Sequence, residues 1–347
     1  MRIDFRSDTV TRPTPEMQEA MHMAPLGDDV FGEDPAINAL EGMASDLFGM
    51  EAALFCPSGT MTNQIAIKCH TQPGDEVICD LDSHIYQYEG GGIAFNAGCS
   101  VRLLSGDRGR ITAEQVSEGI NAVGDVHKAV SRLVSLENTA NRGGGSCYEL
   151  TEIERIREVC DRHGLALHLD GARLFNALVA QGGSPRDHGR LFDSISICLS
   201  KGLGAPVGSL LLGTSDFIKR SRRIRKVFGG GMRQAGMLAA AGQFALEHHV
   251  ERLAEDHRHA AAIAAALEHQ PFIERVLPVE TNIIIAEMRQ PWTPLDLQTY
   301  MQAFDIRFFA ISPRRFRLVV HLDITPAMVE RTIGIINDIN TLPCSQA

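Results

Sequence analysis

The stretch Leu165-Ala-Leu-His-Leu-Asp-Gly-Ala-Arg173 places an aspartate, Asp170, directly after an apolar strand pattern. The stretch Ser194-Ile-Ser-Ile-Cys-Leu-Ser-Lys201 repeats this arrangement with a lysine. The spacing between the two charged residues fits one strand–helix–strand unit, which joins parallel strands. Ligands of open α/β sheets bind outside the carboxyl ends of such strands. The sequence therefore predicts an α/β fold in which Asp170 and Lys201 reach the same edge of one sheet.

Asp170 and Lys201 together suit one cofactor better than either residue does alone. A lone lysine after a strand is usually a surface residue, and a lone aspartate in this place is often a helix N-cap. Pyridoxal phosphate needs both, because a lysine forms its Schiff base and an anion keeps its pyridine nitrogen protonated. The turn Pro57-Ser-Gly-Thr60 would offer its phosphate the N–H groups of a helix start. The same turn could equally be an ordinary strand-to-helix connection, and it matches no nucleotide-binding motif.

Alternating strand and helix patterns extend on both sides of these motifs, as is typical of a mostly parallel sheet covered by helices. After a long helical stretch, roughly residues 232–268, the pattern changes to that of a smaller α+β domain. We expect that stretch to be kinked or split near Gly242 or the His248-His249 pair. The predicted organisation is an N-terminal arm (1–13), a cofactor-binding large domain (14–254) and a small C-terminal domain (255–347), and 347 residues suffice for two domains.

Composition and charge argue against several classes of protein. The chain has 43 acidic and 33 basic residues and a net charge of −10, which is unlike a nucleic-acid binder. No apolar run approaches the roughly 18 residues of a membrane span, and the first residues lack the apolar stretch of a signal peptide. We expect a cytoplasmic protein with no nucleic-acid or membrane partner.

Histidine and cysteine patterns predict neither a metal site nor disulfides. No metal is expected, because the histidines of the long helical stretch are interpreted as a solvated surface: His248, His249, His257 and His259. The eight cysteines contain no C-x-x-C pair, which is typical of reduced thiols in a cytoplasmic protein. They are Cys56, Cys69, Cys79, Cys99, Cys147, Cys160, Cys198 and Cys344.

Several motifs, in order along the chain, resemble those of one enzyme family. They are Arg6-Ser-Asp-Thr-Val-Thr-Arg-Pro13, Gly27-Asp-Asp-Val30, Leu136-Glu-Asn-Thr139, His168-Leu-Asp-Gly-Ala-Arg173, Cys198-Leu-Ser-Lys-Gly-Leu-Gly-Ala-Pro-Val-Gly-Ser209 and Gly229-Gly-Gly-Met-Arg-Gln234. The chain thereby resembles the low-specificity L-threonine aldolases, pyridoxal-phosphate enzymes of the aspartate-aminotransferase-like fold (fold type I). The resemblance implies retro-aldol cleavage of L-threonine or L-allo-threonine to glycine and acetaldehyde.

The resemblance also implies a set of cofactor-binding residues. They are Ser58, Gly59, Thr60, His84, Asp170, Arg173, Lys201, Lys226 and Arg233. Lys201 would form the Schiff base, Asp170 would pair with the pyridine nitrogen, and His84 would stack on the ring. Lys226 and Arg233 would reach across a subunit interface to a neighbour's cofactor phosphate. This implies a homodimer or homotetramer with shared active sites.

The substrate side is assigned by the same resemblance. Ser7, Arg173 and Arg317 would grip the substrate carboxylate and the phenolic oxygen of the cofactor, and an arginine fork suits a carboxylate well. The base that removes the β-hydroxyl proton would be His84, His127 or a water molecule. An unperturbed histidine, with a pKa of roughly 6.5, suits this task.

One loop departs from the family pattern. Family members often have a histidine after Glu-Asn-Thr, whereas this chain has Ala140 and then Asn141-Arg-Gly-Gly-Gly-Ser-Cys147. The departure affects the substrate side of the site rather than the cofactor side. It leaves open a related lyase that acts on another β-hydroxy amino acid such as phenylserine, a β-eliminating lyase, or a racemase. A protein that binds the cofactor without catalysis is the remaining alternative.

Overall fold

The computed structural model describes residues 2–339, which form strands and helices along the whole of that range. The strands are β1 (Ile3–Asp4), β2 (Ala52–Cys56), β3 (Asp75–Asp80), β4 (Ser100–Leu104), β5 (Val130–Glu137), β6 (Ala166–Gly171), β7 (Ser194–Cys198), β8 (Ser209–Gly213), β9 (Ile273–Val276), β10 (Ile283–Met288), β11 (Ile306–Arg307), β12 (Phe309–Ala310) and β13 (Arg315–Val319). The helices are α1 (Pro15–His22), α2 (Pro35–Phe48), α3 (Gly59–His70), α4 (His84–Gln87), α5 (Ala113–Gly119), α6 (Leu150–His163), α7 (Leu174–Gln181), α8 (Pro185–Leu191), α9 (Ser215–Val227), α10 (Gly236–His248), α11 (Leu253–Glu268), α12 (Pro294–Gln302) and α13 (Pro326–Asn337).

The larger sheet has seven strands in the order β2-β8-β7-β6-β5-β3-β4. Strand β8 runs antiparallel to both of its neighbours, and the four pairs from β7 to β4 are parallel. The predicted α/β fold with a mostly parallel sheet is therefore confirmed. Because β5, β6 and β7 are adjacent and parallel, their carboxyl ends meet at one edge of the sheet.

Local sequence signals explain where the helices begin and which face they bury. Helix α2 begins after Asp34, whose Oδ1 accepts hydrogen bonds from the N–H groups of Ala36 and Ile37, each at 3.1 Å. Its apolar face, which includes Ile37 and Leu40, is fully buried in the core beside the sheet. Gly49 ends the helix in the left-handed conformation, with φ 63°.

A second core lies in the C-terminal part of the chain. Strands β12, β13, β10 and β9 form an antiparallel sheet, against which α11, α12 and α13 contribute buried apolar residues. Strand β1 pairs in parallel with β11, and Ile3 and Phe5 are buried in this second core. The N-terminal arm thus belongs structurally with the residues that follow position 260.

The long helical stretch is divided into two helices, α10 and α11, and residues 232–235 precede the first of them. The expected split near His248 is present, but His249 is not on a solvated surface. It is buried, and its Nδ1 lies 2.7 Å from the carbonyl oxygen of Leu203, so it donates to the loop that follows Lys201. His257 is half-buried and its Nε2 lies 3.0 Å from Oδ1 of Asn176.

Two further findings concern the predictions from composition. No helix among residues 2–339 is long and apolar enough to cross a membrane. The cysteines within this range are free thiols, and most are buried. Cys344, like the rest of residues 340–347 of the predicted small domain, lies outside the described residues.

Candidate functional site

Adjacent strand ends place the predicted cofactor residues at one edge of the sheet. Asp170 is near the end of β6 and lies opposite Glu137, the last residue of β5. Lys201 follows β7 in a turn, is half-buried, and makes no ion pair within the described range. Its charge acts on both Asp8 and His84. The structure therefore brings Lys201, Asp170 and His84 into one electrostatic environment.

Asp170 is held by two hydrogen bonds and is 2% exposed. Its Oδ1 accepts from the N–H of Ala172 at 3.1 Å, and its Oδ2 accepts from Nδ2 of Asn63 at 3.0 Å. Asn63 lies one turn into α3, the helix whose start was predicted to hold phosphate. Sequence reasoning missed Asn63, although its place on that helix, facing the sheet, was a usable signal.

His84 begins α4 just beyond the end of β3, and two buried glutamates fix it. Its Nδ1 lies 3.0 Å from Oε1 of Glu89, and its backbone N–H donates to Glu137 at 2.7 Å. Burial lowers the pKa of His84, but the hydrogen bond with Glu89 and the charge of Asp170 outweigh burial, so the pKa is raised above its ordinary value. One nitrogen of the ring thus faces Glu89, which leaves the other, Nε2, for a ligand.

Glu137 is a buried carboxyl group at the centre of this edge. It accepts from the backbone N–H groups of His84 and Asn141, at 2.7 and 2.9 Å. Burial and then the nearby charge of Asp170 raise the pKa of Glu137 to about 7. Glu137 lies within the motif Leu136-Glu-Asn-Thr139, but its role could not be predicted, since a carboxylate at a strand end has no sequence pattern that reveals its neighbours.

Arg173 is paired with a residue of the N-terminal arm. Its Nε and Nη2 donate to the two oxygens of Asp8 at 2.7 and 2.6 Å, and both side chains are buried. Burial disfavours the charged form of Asp8, but the Arg173 cation dominates and lowers the pKa of Asp8 to about 2. Ser7, predicted to contact the substrate, caps the short turn at Asp8–Val10 by accepting from the N–H of Thr9 at 3.2 Å.

Arg317 is half-buried and has no carboxylate partner among residues 2–339. Its Nη1 donates to Oδ1 of Asn141 at 2.6 Å and its Nη2 to the carbonyl oxygen of Arg6 at 3.1 Å. Its Nε is buried without a partner within the same range. Burial and the nearby charge of Arg173 lower the pKa of Arg317 to about 10. A cation with a buried, unused donor is suited to bind an anionic group.

The start of α3 provides the donors that a phosphate requires. Ser58 caps the helix, accepting from the N–H of Met61 at 3.2 Å, and the N–H groups of Gly59 and Thr60 have no partner within the helix. Ser209 adds a buried hydroxyl without a partner in the described part of the chain, 3.5 Å from the point where a Cβ on Gly59 would lie. These unpaired donors, together with Lys201 and Asp170, fit pyridoxal phosphate.

Three predicted site residues make no described contact with Lys201 or Asp170. His127 precedes β5, at the end of that strand opposite to Glu137, and an eight-residue strand is roughly 23 Å long. Lys226 is exposed near the end of α9. Arg233 is exposed, pairs with Asp28 at 2.9 Å, and has its guanidinium 5.8 Å from the ring centre of Phe31. Within one chain the structure therefore separates His127 from Lys201, and among residues 2–339 neither Lys226 nor Arg233 forms an ion pair with a residue of the sheet edge.

The loop that departs from the family pattern joins the two cores. The carbonyl oxygen of Gly145 accepts from Oγ1 of Thr281 at 2.9 Å, and the N–H of Cys147 donates to Glu280 at 2.8 Å. Arg108 donates to the carbonyl oxygen of Gly143 and pairs with Glu280 at 2.9 and 2.5 Å. Burial raises the pKa of the Cys147 thiol to about 12, so the thiol stays protonated and unreactive, and Cys147 contributes only to the contact between the two cores.

Comparison with known proteins agrees with this geometry. Residues 4–291 match the beta-eliminating lyase family. The chain is 44% identical over 324 residues to the low specificity L-threonine aldolase of Escherichia coli (strain K12), covering 93% of this chain and 95% of that protein. It is 40% identical over 338 residues to the low-specificity L-threonine aldolase 1 of Arabidopsis thaliana, covering 96% and 94%. The chain belongs to the low-specificity L-threonine aldolase family.

Solved structures of other proteins share the fold of this chain. A threonine aldolase of Leishmania major has a TM-score of 0.85 at 23% identity, covering 96% of this chain and 98% of that one. A serine palmitoyltransferase of Sphingomonas wittichii has a TM-score of 0.77 at 15% identity, covering 97% and 86%. The fold is the one expected from the sequence motifs.

Proposed function

We propose that this protein is a pyridoxal-phosphate-dependent lyase that cleaves L-threonine or L-allo-threonine to glycine and acetaldehyde. The observation that supports this most directly is the convergence of Lys201, Asp170 and His84 at one sheet edge, beside a cation, Arg317, that has no carboxylate partner within residues 2–339. Membership of the threonine aldolase family supports the same reaction.

The cofactor would be held at both of its ends. Lys201 and Asp170 would bind its aldehyde carbon and its pyridine nitrogen, and the start of α3 with Ser58, Gly59 and Thr60 would bind its phosphate. When bound, pyridoxal phosphate supplies a ring that accepts the electron pair released as the Cα–Cβ bond breaks. The chain's own contribution is to orient the substrate and to move protons.

Arg317 would orient the substrate by its carboxylate. The hydrogen bonds to Asn141 and to the backbone of Arg6 fix the guanidinium, which leaves Nε and the remaining donors for the substrate. Arg173 would act mainly through Asp8, since two of its donors are already used in that pair. Because Arg317 belongs to β13 and Arg6 to the N-terminal arm, substrate binding depends on the second core.

His84 would remove the proton of the β-hydroxyl group. Glu89 holds Nδ1 at 3.0 Å, so the proton would be taken by Nε2, directly or through a water molecule.

His127 would have to come from a partner subunit, because in its own chain it lies at the opposite edge of the sheet. We therefore propose a homodimer or homotetramer with shared sites, in which Lys226 and Arg233 also act across the interface.

The test is to incubate the purified protein, with its cofactor bound, with L-threonine and L-allo-threonine and to measure acetaldehyde and glycine. We expect both products in equal amounts. A protein with fully bound cofactor that releases no aldehyde from either epimer contradicts the proposal.

The free thiols of the described range also support a cytoplasmic location, which fractionation of the source cells would test.

A second candidate is cleavage of a bulkier β-hydroxy amino acid such as phenylserine. It is motivated by Ala140, which stands where the family often has a histidine. Aldehyde release from phenylserine at a higher kcat/KM than from threonine would support it. Ammonia or a keto acid instead of an aldehyde would indicate β-elimination, and loss of optical activity without cleavage would indicate racemisation.

A further inference from the structure

A chain of buried hydrogen bonds runs from Asp170, between helix α3 and the sheet, to Ser194 at the start of β7 and His70 at the end of α3. Asp170 binds Asn63, Oδ1 of Asn63 lies 3.2 Å from Nε2 of His168, and Nδ1 of His168 lies 2.8 Å from Oγ of Ser194. The same Oγ lies 2.8 Å from Nε2 of His70. His168 and Ser194 are fully buried. Neither the sequence motifs nor the proposed reaction gives these residues a role.

The chemistry of the groups fixes the direction of every hydrogen bond in this chain. The Nδ2 group of Asn63 donates to Asp170 and to Glu89, at 3.0 and 2.9 Å, because a carboxylate can only accept. Oδ1 of Asn63 must then face His168 and accept a hydrogen bond from its Nε2–H group. Turning the amide around would set its oxygen against two carboxylates.

The next two bonds follow from the tautomer of His168. Burial and then the neighbouring His70 lower the pKa of His168 to about 3, so the ring is neutral and carries one proton. That proton is on Nε2, so Nδ1 is an acceptor and takes its hydrogen bond from the hydroxyl of Ser194. Ser194 accepts in turn from Nε2 of His70, whose pKa burial lowers to about 4.

All the donors in this chain therefore point towards Asp170. An aligned chain of this kind polarises its members and favours negative charge at the accepting end. Among the described residues, the charged and titratable groups facing Asp170 are His84, Glu89, Glu137 and His168, and the negative charges of the two glutamates repel that of Asp170. A neutral dipole chain offsets that repulsion without adding a competing cation.

We propose that His70, Ser194, His168 and Asn63 are positioning residues that hold Asp170 ionised and oriented towards the pyridine nitrogen of the cofactor. This rests on the proposed function, in which Asp170 keeps that nitrogen protonated. The residues do not touch the substrate. Their effect is on the protonation of the ring and hence on kcat, whereas substrate affinity, which depends on Arg317, is unchanged.

The decisive variant is Ser194→Ala, which removes one oxygen atom and thereby interrupts the series of hydrogen bonds between His70 and His168. The matched control is Ser196→Ala on the same strand. Ser196 is also buried, but its hydroxyl lies 2.6 Å from that of Thr62 and takes no part in the series of hydrogen bonds that leads to Asp170. Ser194→Thr keeps the hydroxyl and is the rescue variant. His70→Phe keeps a ring against Phe217, where the centroids are 4.6 Å apart, but cannot donate.

Each holoenzyme is prepared with cofactor labelled at the ring nitrogen, and nitrogen NMR follows the protonation of that atom with pH. In Ser194→Ala we expect the pKa of the ring nitrogen to fall, and kcat for threonine to fall about tenfold, with KM within about twofold. Ser194→Thr should restore both quantities, and His70→Phe should move them in the same direction by less. Ser196→Ala should match the native enzyme.

Two results separate this inference from the proposed function. If threonine is cleaved but the ring nitrogen titrates identically in Ser194→Ala, His70→Phe and the native enzyme, the inference is wrong and the function stands. If threonine is not cleaved but the ring nitrogen loses its proton at lower pH in the two variants, the inference is supported and the function is wrong. Should Ser194→Ala fail to fold, as judged by thermal melting, the comparison is made with His70→Phe.

Discussion

At the scale of single residues, the site depends on how His84 and Arg317 are held. The orientation of each side chain is restrained by a hydrogen bond, because Glu89 binds one nitrogen of His84 and Asn141 binds the guanidinium of Arg317. In both cases the atom left over, Nε2 of the histidine and Nε of the arginine, is the one that the proposed reaction uses. Two substitutions test these assignments.

Replacing Glu89 with glutamine should shift the pH profile of threonine cleavage. Glu89 raises the pKa of His84, so the variant has a lower pKa and His84 stays neutral, and active as a base, at lower pH. The acid limb of kcat/KM should therefore move to lower pH. The control is Glu114→Gln, an exposed position on α5, whose profile should equal that of the native enzyme. An acid limb that stays in place, or moves upward, contradicts the role of His84 as the base.

Replacing Arg317 with glutamine should weaken substrate binding and spare the cofactor. Hydrogen bonds to charged groups contribute about 1.5–3 kcal/mol, so kcat/KM for threonine should fall roughly 10- to 100-fold. Arg315→Gln is a matched control, because Arg315 lies on the same strand and faces Glu287 at 3.7 Å instead. Kinetics and the absorbance of the bound cofactor measure the two effects. Equal losses in both variants would show that Arg317 has no special part in binding.

At the scale of secondary structure, helix α3 does two separate things. Its first residues offer N–H groups that have no partner within the helix, close to the hydroxyl of Ser209, and its second turn supplies Asn63 to Asp170. Both ends of the cofactor would therefore be placed by one helix, whose start is set by the cap at Ser58. The distance between the phosphate and pyridine sites is fixed by the geometry of a single rigid element.

Replacing Ser58 with alanine should reduce both stability and cofactor affinity. Loss of an N-cap costs about 1 kcal/mol of unfolding free energy, and a frayed helix start binds phosphate less well. Thr112→Ala is the control, since Thr112 caps α5 by accepting from the N–H of Gln115 at 3.3 Å, outside the site. Both variants should lose similar stability in chemical denaturation, while only Ser58→Ala should release cofactor faster. Equal cofactor affinities would contradict the phosphate assignment.

At the scale of the whole molecule, a few polar joints hold the two cores together. Asp8 of the arm pairs with Arg173 of the large core, and Arg108 pairs with Glu280 ahead of β10. Arg317 bonds to the backbone of the same arm and to Asn141 of the large core, so the alignment of the substrate site depends on how the cores meet. Among these contacts, the ion pair between Asp8 and Arg173 is the one that low pH should weaken.

Lowering the pH should remove the stability that Asp8 contributes. Its pKa is lowered to about 2 in the folded protein from an ordinary value of 3.8, so the contribution is present in full above pH 3.8 and is lost as the pH falls towards 2. The difference corresponds to about 2 kcal/mol. Asp8→Asn should be less stable than the native protein at neutral pH, and the gap should close in acid. Denaturation at several pH values measures this, and a constant gap contradicts it.

Sequence reasoning succeeded where a residue is marked by its own strand or helix. Asp170 and Lys201 follow apolar strands, and the start of α3 follows a proline-serine-glycine turn, so their place at the sheet edge could be predicted. Glu89 and Asp8 could not, because each is defined by a partner that is distant in the sequence, Asn63 for Glu89 and Arg173 for Asp8. The position of His127 at the opposite edge likewise depends on strand order, which the local pattern does not contain.

The pairing of β1 with β11 has a consequence for how the chain folds during synthesis. Ile3 lies opposite Ile306, so β1 has no partner strand until the ribosome has made everything between the two. Until then the apolar side chains of Ile3 and Phe5 cannot be buried, because they belong to the second core and not to the large one. The arm is therefore among the last pieces to be placed although it is made before the other strands, and the site, which needs Asp8 and the backbone of Arg6, is completed only after β11 has emerged.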